Sequence, residues 1–290
     1  MTTTTEINDV STPRPVTRVI TGQPTTEGGG VNLTRVLGQP ALSELDPFLL
    51  LDEFRSDDSA DYLAGFPEHP HRGFETVTYM LAGRMRHGDN HGHSGVIGPG
   101  GVQWMTAGRG IVHSEMPEQD EGLMWGFQLW VNLPAADKMG EPGYQEHAAD
   151  AIPEVGLPGG GEVRVIAGRF GDAVGPVAAA ATAPVYLDVR LNAGETFTTA
   201  APVGHNAMLY VYDGAVDVAG QSLTRGQLAQ LGQAAGSEDG VAFTAGDDGG
   251  RALLIAGAPL NEPVARYGPF VMNHAHEIRQ AALDFQAGRF

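Results

Sequence analysis

The residues best equipped for chemistry form two short pairs. His69-Pro70-His71 places two imidazoles at i and i+2, and His113-Ser114-Glu115 repeats that spacing with an imidazole and a carboxylate. On extended backbone, residues two apart point to the same face. Two strands lying side by side therefore aim all four groups at one point. Three neutral imidazoles and one carboxylate suit Fe, Mn, Ni, Cu or Zn. An octahedral ion held this way keeps two positions for water, O2 or substrate, whereas Zn, preferring four ligands, leaves little open. Glu75 is a rival ligand, because its parity matches that of His69 and His71 if one strand runs through all three. Its other reading is a supporting carboxylate behind the ligands.

The remaining histidines carry less. His91-Gly92-His93 sits in a polar, glycine-flanked run and reads as an exposed turn. His147, His205, His274 and His276 are isolated and read as surface or hydrogen-bonded polar groups. Phe66, Phe74 and Trp104 are candidate apolar walls of a pocket around the histidines, with barrel core as their alternative role. Gln128, inside an apolar strand, is a candidate hydrogen-bonding group behind the ligands.

The elements that must position these residues are short strands. Apolar segments at residues 16–20, 48–51, 76–81, 101–105 and 127–133 are each bounded by Gly, Pro or Asp, the pattern of strands between tight turns. Residues 134–161 lose the pattern and read as an inter-domain connection. Strands resume at 162–167, 185–191, 207–212, 228–231 and 252–256. The segments TVTYMLAG (76–83) and AMLYVYDG (207–214) form a weak internal repeat, which a duplicated β-barrel explains. Aligning Gly83 with Gly214 puts Ala200 and Pro202 opposite His69 and His71, so the second half is expected to be metal-free. At the C-terminus Asn273 is a candidate N-cap, and Ile278, Ala282 and Phe285 predict a short helix over about 275–286. The expected organisation is a disordered tail at 1–15, a metal-binding domain at 16–145 and a degenerate, metal-free domain at 146–290.

Composition narrows the function. The 290 residues include 41 Gly and 19 Pro, favouring turns and short strands, and no Cys, which excludes disulfides, thiolate ligands and cysteine nucleophiles. A formal net charge of −18 argues against direct nucleic-acid binding, which needs clustered cations. The first residues lack the basic-then-apolar pattern of a signal peptide, and no apolar run has the length of a membrane span. A cytoplasmic protein with no membrane attachment is expected.

Longer blocks then carry a resemblance. HPHRGFETVTYMLAG (69–83), HSGVIGPGGVQWMTAGRGIVHSEMP (93–117), QLWVNLP (128–134) and PLNEPVARYGPFVMN (259–273) resemble the pirin family within the cupin superfamily. The resemblance implies an all-β fold of two tandem cupin (jelly-roll-like) β-barrels with a short C-terminal helix. It implies one Fe(II) per chain in the N-terminal barrel, held by His69, His71, His113 and Glu115, with Glu75 not coordinating. Another divalent metal fits the same donors. Region 134–185 departs most from the family pattern, which places any partner surface there in doubt.

Three functions follow from the resemblance. In the first, a flavonol (quercetin 2,3-) dioxygenase takes a small aromatic substrate and O2, with Glu115 as ligand and candidate base for the substrate hydroxyl. In the second, a non-enzymatic, redox-sensitive co-regulator contacts a transcription factor or metabolic enzyme as its protein partner. The third is an unrelated lyase or isomerase, since this fold hosts many chemistries. A monomer is expected, because two barrels in one chain can cover each other's apolar surface.

Overall fold

The computed structural model describes residues 10, 12–179, 181–232 and 239–290. They divide into two compact units. One comprises the described residues before Gln23 together with Ala151–Pro259. The other comprises Gln23–Asp150 and Leu260–Phe290.

The histidine-bearing unit is built on a seven-stranded antiparallel sheet. Its order is Gly143–His147, Val102–Thr106, Phe74–Ala82, Met124–Asn132, Phe48–Ser56, Val31–Leu37 and Gln23–Glu27. A four-stranded sheet of Phe66–His71, Ile111–Pro117, Met85–Asp89 and Ser94–Ile97 completes the barrel. Between the sheets, one end is filled by an apolar cluster including Val31, Phe54, Tyr62, Met80 and Met124. The other end is left to the polar residues described below. Period-two alternation decides which side chains point there: Leu50 and Asp52 from one strand, Gln128 and Trp130 from another.

The other unit repeats this strand order. Val16–Thr21, Gln227–Leu231, Asn206–Val218, Asp239–Gly257, Val185–Leu191, Glu162–Ala167 and Glu154–Gly156 neighbour one another in that sequence. The expected repeat therefore falls on equivalent central strands, Phe74–Ala82 and Asn206–Val218. Aliphatic side chains fill this unit's interior, among them Val163, Leu187, Leu209, Val211 and Leu254.

Several expectations change in detail. The strand Val16–Thr21 pairs with Gln227–Leu231, so it belongs to the unit that carries the later strands and not to the histidine-bearing one. Conversely, residues after Pro259 join the histidine-bearing unit. The units thus differ from two successive blocks split near residue 145. The tail expected at 1–15 is structured at its end. Thr12–Pro13 pairs with Asp239–Gly240, and buried Arg14 donates to the carbonyls of His205 (2.6 Å) and Pro202 (3.1 Å). Residues 1–9 and 11 lie outside the described residues.

The helix spans Ala275–Gln286, with His274 rather than Asn273 at the N-cap position. Glu277 accepts from the backbone N–H of both His274 (2.7 Å) and Asn273 (3.0 Å), while the Asn273 amide is taken up by Glu262 and the Pro263 carbonyl. Among the described residues, no helix is long and apolar enough to cross a membrane.

Candidate metal centre

The strand pair Phe66–His71 and Ile111–Pro117 is antiparallel, with His113 directly opposite His69. His71 is two residues along on the same face. The ring centroids lie 4.7 Å apart for His69 and His71, 4.4 Å for His69 and His113, and 5.1 Å for His71 and His113. One ring nitrogen from each falls within 4.8 Å of the others. A bulge opposite Ser114 shifts the register, so that Glu115 faces Phe66.

The donor atoms fit a bound cation. His69 Nδ1 is 2.8 Å from the Pro67 carbonyl, to which it donates as N–H, leaving Nε2 with a free lone pair. His71 Nδ1 and both ring nitrogens of His113 are buried with no hydrogen-bond partner. Buried polar atoms in folded proteins are nearly always satisfied, so an orphan nitrogen on each of two neighbouring rings fits a missing ion. Burial, then the neighbouring imidazoles, pushes His71 and His113 well below the usual histidine range. Both are therefore neutral at pH 7, as metal ligation requires.

Glu115 is buried and lines the same cavity, but its carboxylate is not part of the three-imidazole cluster. Its Oε1 lies 2.8 Å from Thr78 Oγ1, which in turn lies 2.6 Å from Gln128 Oε1. The hydroxyl has one proton and so donates to only one of the two at a time. Glu115 Oε1 and Gln128 Oε1 thus compete for that proton, and the second Glu115 oxygen is uncommitted to Thr78.

Glu75 is elsewhere. The strand breaks at Arg72-Gly73, and the parity that joined Glu75 to His69 and His71 does not survive the break. Gly73 has φ +86°, and a Cβ there would lie 2.0 Å from the Val271 carbonyl oxygen. Beyond it, Thr78 faces the cavity and Glu75 faces the other way, accepting from Thr106 Oγ1 at 2.8 Å. Its burial raises the Glu75 carboxyl, with the Thr106 and Trp104 bonds pulling it back. Trp104 pairs with Val77 on that same far face and does not line the cavity. Phe66 does line it. Phe74 is fully buried behind the site, edge-on to His71 with centroids 5.0 Å apart. His93 is in an exposed turn held by Asp89 (2.9 Å).

The cavity has a volume of about 560 Å³, within the range of small-molecule sites. Leu33, Leu50, Phe54, Phe66, Met85 and Trp130 make its apolar walls. It also holds charges that sequence reasoning missed. Arg35 grips Asp52 with two parallel bonds (2.9 and 2.8 Å) and reaches Glu27 at 2.9 Å. Arg266 enters from the C-terminal segment. Charged residues interrupting apolar strands, as in FLLLDEF, were the available signal for Asp52. Nothing local marks Arg35 or Arg266.

Comparison with known proteins follows from this geometry. The sequence matches the family model described as Pirin over residues 30–131 and that described as Pirin C-terminal cupin domain over residues 186–290. It is 55% identical over 279 residues to a Pirin-like protein of Caulobacter vibrioides, covering 96% of this chain and 99% of that one. It is 42% identical over 281 residues to Pirin of Homo sapiens, covering 94% and 92%. A solved structure of quercetin 2,3-dioxygenase from Acinetobacter baumannii superposes with a TM-score of 0.86 at 36% identity, over 96% of this chain and 98% of that one.

Proposed function

The chain belongs to the pirin family, and from that premise we propose that it is an Fe(II)-dependent dioxygenase opening a flavonol such as quercetin with O2. His69, His71 and His113 would hold the ion, with Glu115 as the fourth ligand. The observation that carries this reading is the cluster of imidazoles with unpartnered buried nitrogens; two of these rings, His69 and His71, line a largely apolar cavity. The likeness to a quercetin 2,3-dioxygenase over nearly the whole chain supports the substrate class.

When bound, Fe(II) would supply a Lewis acid for the substrate oxygen and a centre able to react with O2. The chain's own residues do the rest. Leu50, Phe54, Phe66 and Trp130 exclude water and take the flat rings of a flavonol. Glu115 receives the proton of the substrate hydroxyl on a carboxylate oxygen. Thr78, donating to Glu115 Oε1, holds that carboxylate in place. Phe74 and Trp130 pack on His71 and keep its ring from turning. In this reading the protein works as a cytoplasmic monomer with one ion per chain. Its lack of cysteine suits a reducing compartment.

The test is anaerobic loading with ferrous salt, then quercetin and O2, with O2 uptake and product followed together. Stoichiometric uptake that disappears in His69→Ala is expected. Iron bound at one per chain with no O2 consumed in the presence of quercetin refutes the oxygenase and leaves the metal centre standing.

A further inference from the structure

The cavity's charges are not equivalent. Arg35 is neutralised by Asp52 and Glu27, at 2.8 and 2.9 Å. Arg266 is not. Among the described residues no carboxylate makes an ion pair with it, and its Nη1 donates to the Leu49 carbonyl at 3.1 Å. Its guanidinium lies over the Trp130 ring, 4.7 Å from the centroid. Trp130 in turn stands edge-on to His71, with centroids 5.3 Å apart. A hairpin, Ala265–Tyr267 with Phe270–Met272, carries Arg266 to this place, and Gly268 and Pro269 of its turn line the cavity beside it.

Stacking on an indole orients a guanidinium plane and leaves its remaining N–H edge free to bind an acceptor. Burial, then the neighbouring Arg35, acts against its charge, with Asp52, Glu27 and Glu44 supporting it in part. An anionic oxygen on a planar ring matches these features, because the ring shares the apolar walls and Trp130 while the oxygen meets the guanidinium.

We infer that Arg266 is a specificity-determining residue, binding a carboxylate or ionised phenol on an aromatic ligand whose other end approaches the His69–His71–His113 cluster. The inference deepens the proposed function and rests on its placement of the substrate in this cavity.

The experiment uses the full chain, loaded with Fe(II) under nitrogen, and reads dissociation constants from tryptophan fluorescence. The ligands are 3,4-dihydroxybenzoate, its neutral methyl ester, and quercetin. Wild type is expected to bind the acid about tenfold more tightly than the ester, equivalent to about 1.4 kcal/mol. Arg266→Gln should erase that preference, leaving the ester's constant and the iron content unchanged, and Arg266→Lys should restore part of it. A packing role would weaken acid and ester alike. An acid-to-ester ratio unaltered in Arg266→Gln, equal losses for both ligands, or no binding of the acid by wild type overturns the assignment. Arg266-dependent binding of the acid by a protein that neither binds nor turns over quercetin would sink the flavonol reading and keep Arg266. Quercetin turnover with an unaltered ratio would do the reverse.

Discussion

Replacing Lys138 with Met tests the buried contacts that hold the end of the strand Phe66–His71. Lys138 is 1% exposed, and its Nζ donates to Asn132 Oδ1 (2.6 Å), the Gly73 carbonyl (2.7 Å) and the Val271 carbonyl (3.2 Å). One side chain thereby ties the break after His71 to the C-terminal strand Phe270–Met272. Met keeps much of the volume but strands three buried acceptors, so Lys138→Met should cost about 3 kcal/mol at pH 7. The pH dependence is sharper evidence. Burial lowers the Lys138 ammonium from 10.5 to about 8, against partial support from Glu262 and Glu277. Between those values the unfolded chain keeps a proton that the folded protein has released, so the lysine's contribution to stability rises with pH. From pH 7 to pH 9 that rise amounts to about 1 kcal/mol. Urea unfolding of both proteins at several pH values gives the difference directly, since the other titrating groups cancel in the subtraction. The gap between wild type and variant should widen toward pH 9. A gap that stays constant or narrows refutes the account of Lys138 as a buried, desolvated cation.

Two other substitutions probe the site's supports. Gly73→Ala puts a Cβ at 2.0 Å from the Val271 carbonyl oxygen in a backbone at φ +86°, so a loss of about 2 to 4 kcal/mol in denaturant unfolding is expected, and a loss below about 1 kcal/mol would mean the break is easily reshaped. Thr78→Val removes the hydroxyl from Glu115 and Gln128. If Glu115 is a ligand, ferrous affinity measured against a competing chelator should fall about 10-fold or more, and unchanged affinity would show that Thr78 does not hold a ligand.

The candidate metal pairs are visible in the sequence because their signal is local. HxH needs only extended backbone to point together, and the fold gathers His69, His71 and His113 while the Glu115 carboxylate stays outside that cluster. Strands 162–167 and 185–191 were legible to the residue for the same reason, as apolar runs with clear stops. The strand read at 252–256 is in fact the end of Asp239–Gly257, because GDDGG in its middle looks like a turn. Parity misled at Glu75, since a single glycine between His71 and Phe74 reverses which face is which. The meeting of Arg35, Asp52 and Arg266 was out of reach for another reason. They meet across 17 to more than 200 positions of sequence, and only the folded sheet brings them to one cavity. The partner of Val16–Thr21 was equally remote.

The interleaving of the two units has a consequence for synthesis. A ribosome finishes residues 23–150 long before it reaches Arg266, Phe270 and the closing helix, which belong to the same unit. The pocket therefore gains its last wall only after the intervening unit, Ala151–Pro259, has been made. A gene cut at the apparent midpoint would deliver an incomplete barrel from either piece, the first lacking its guanidinium and the second its opening strand.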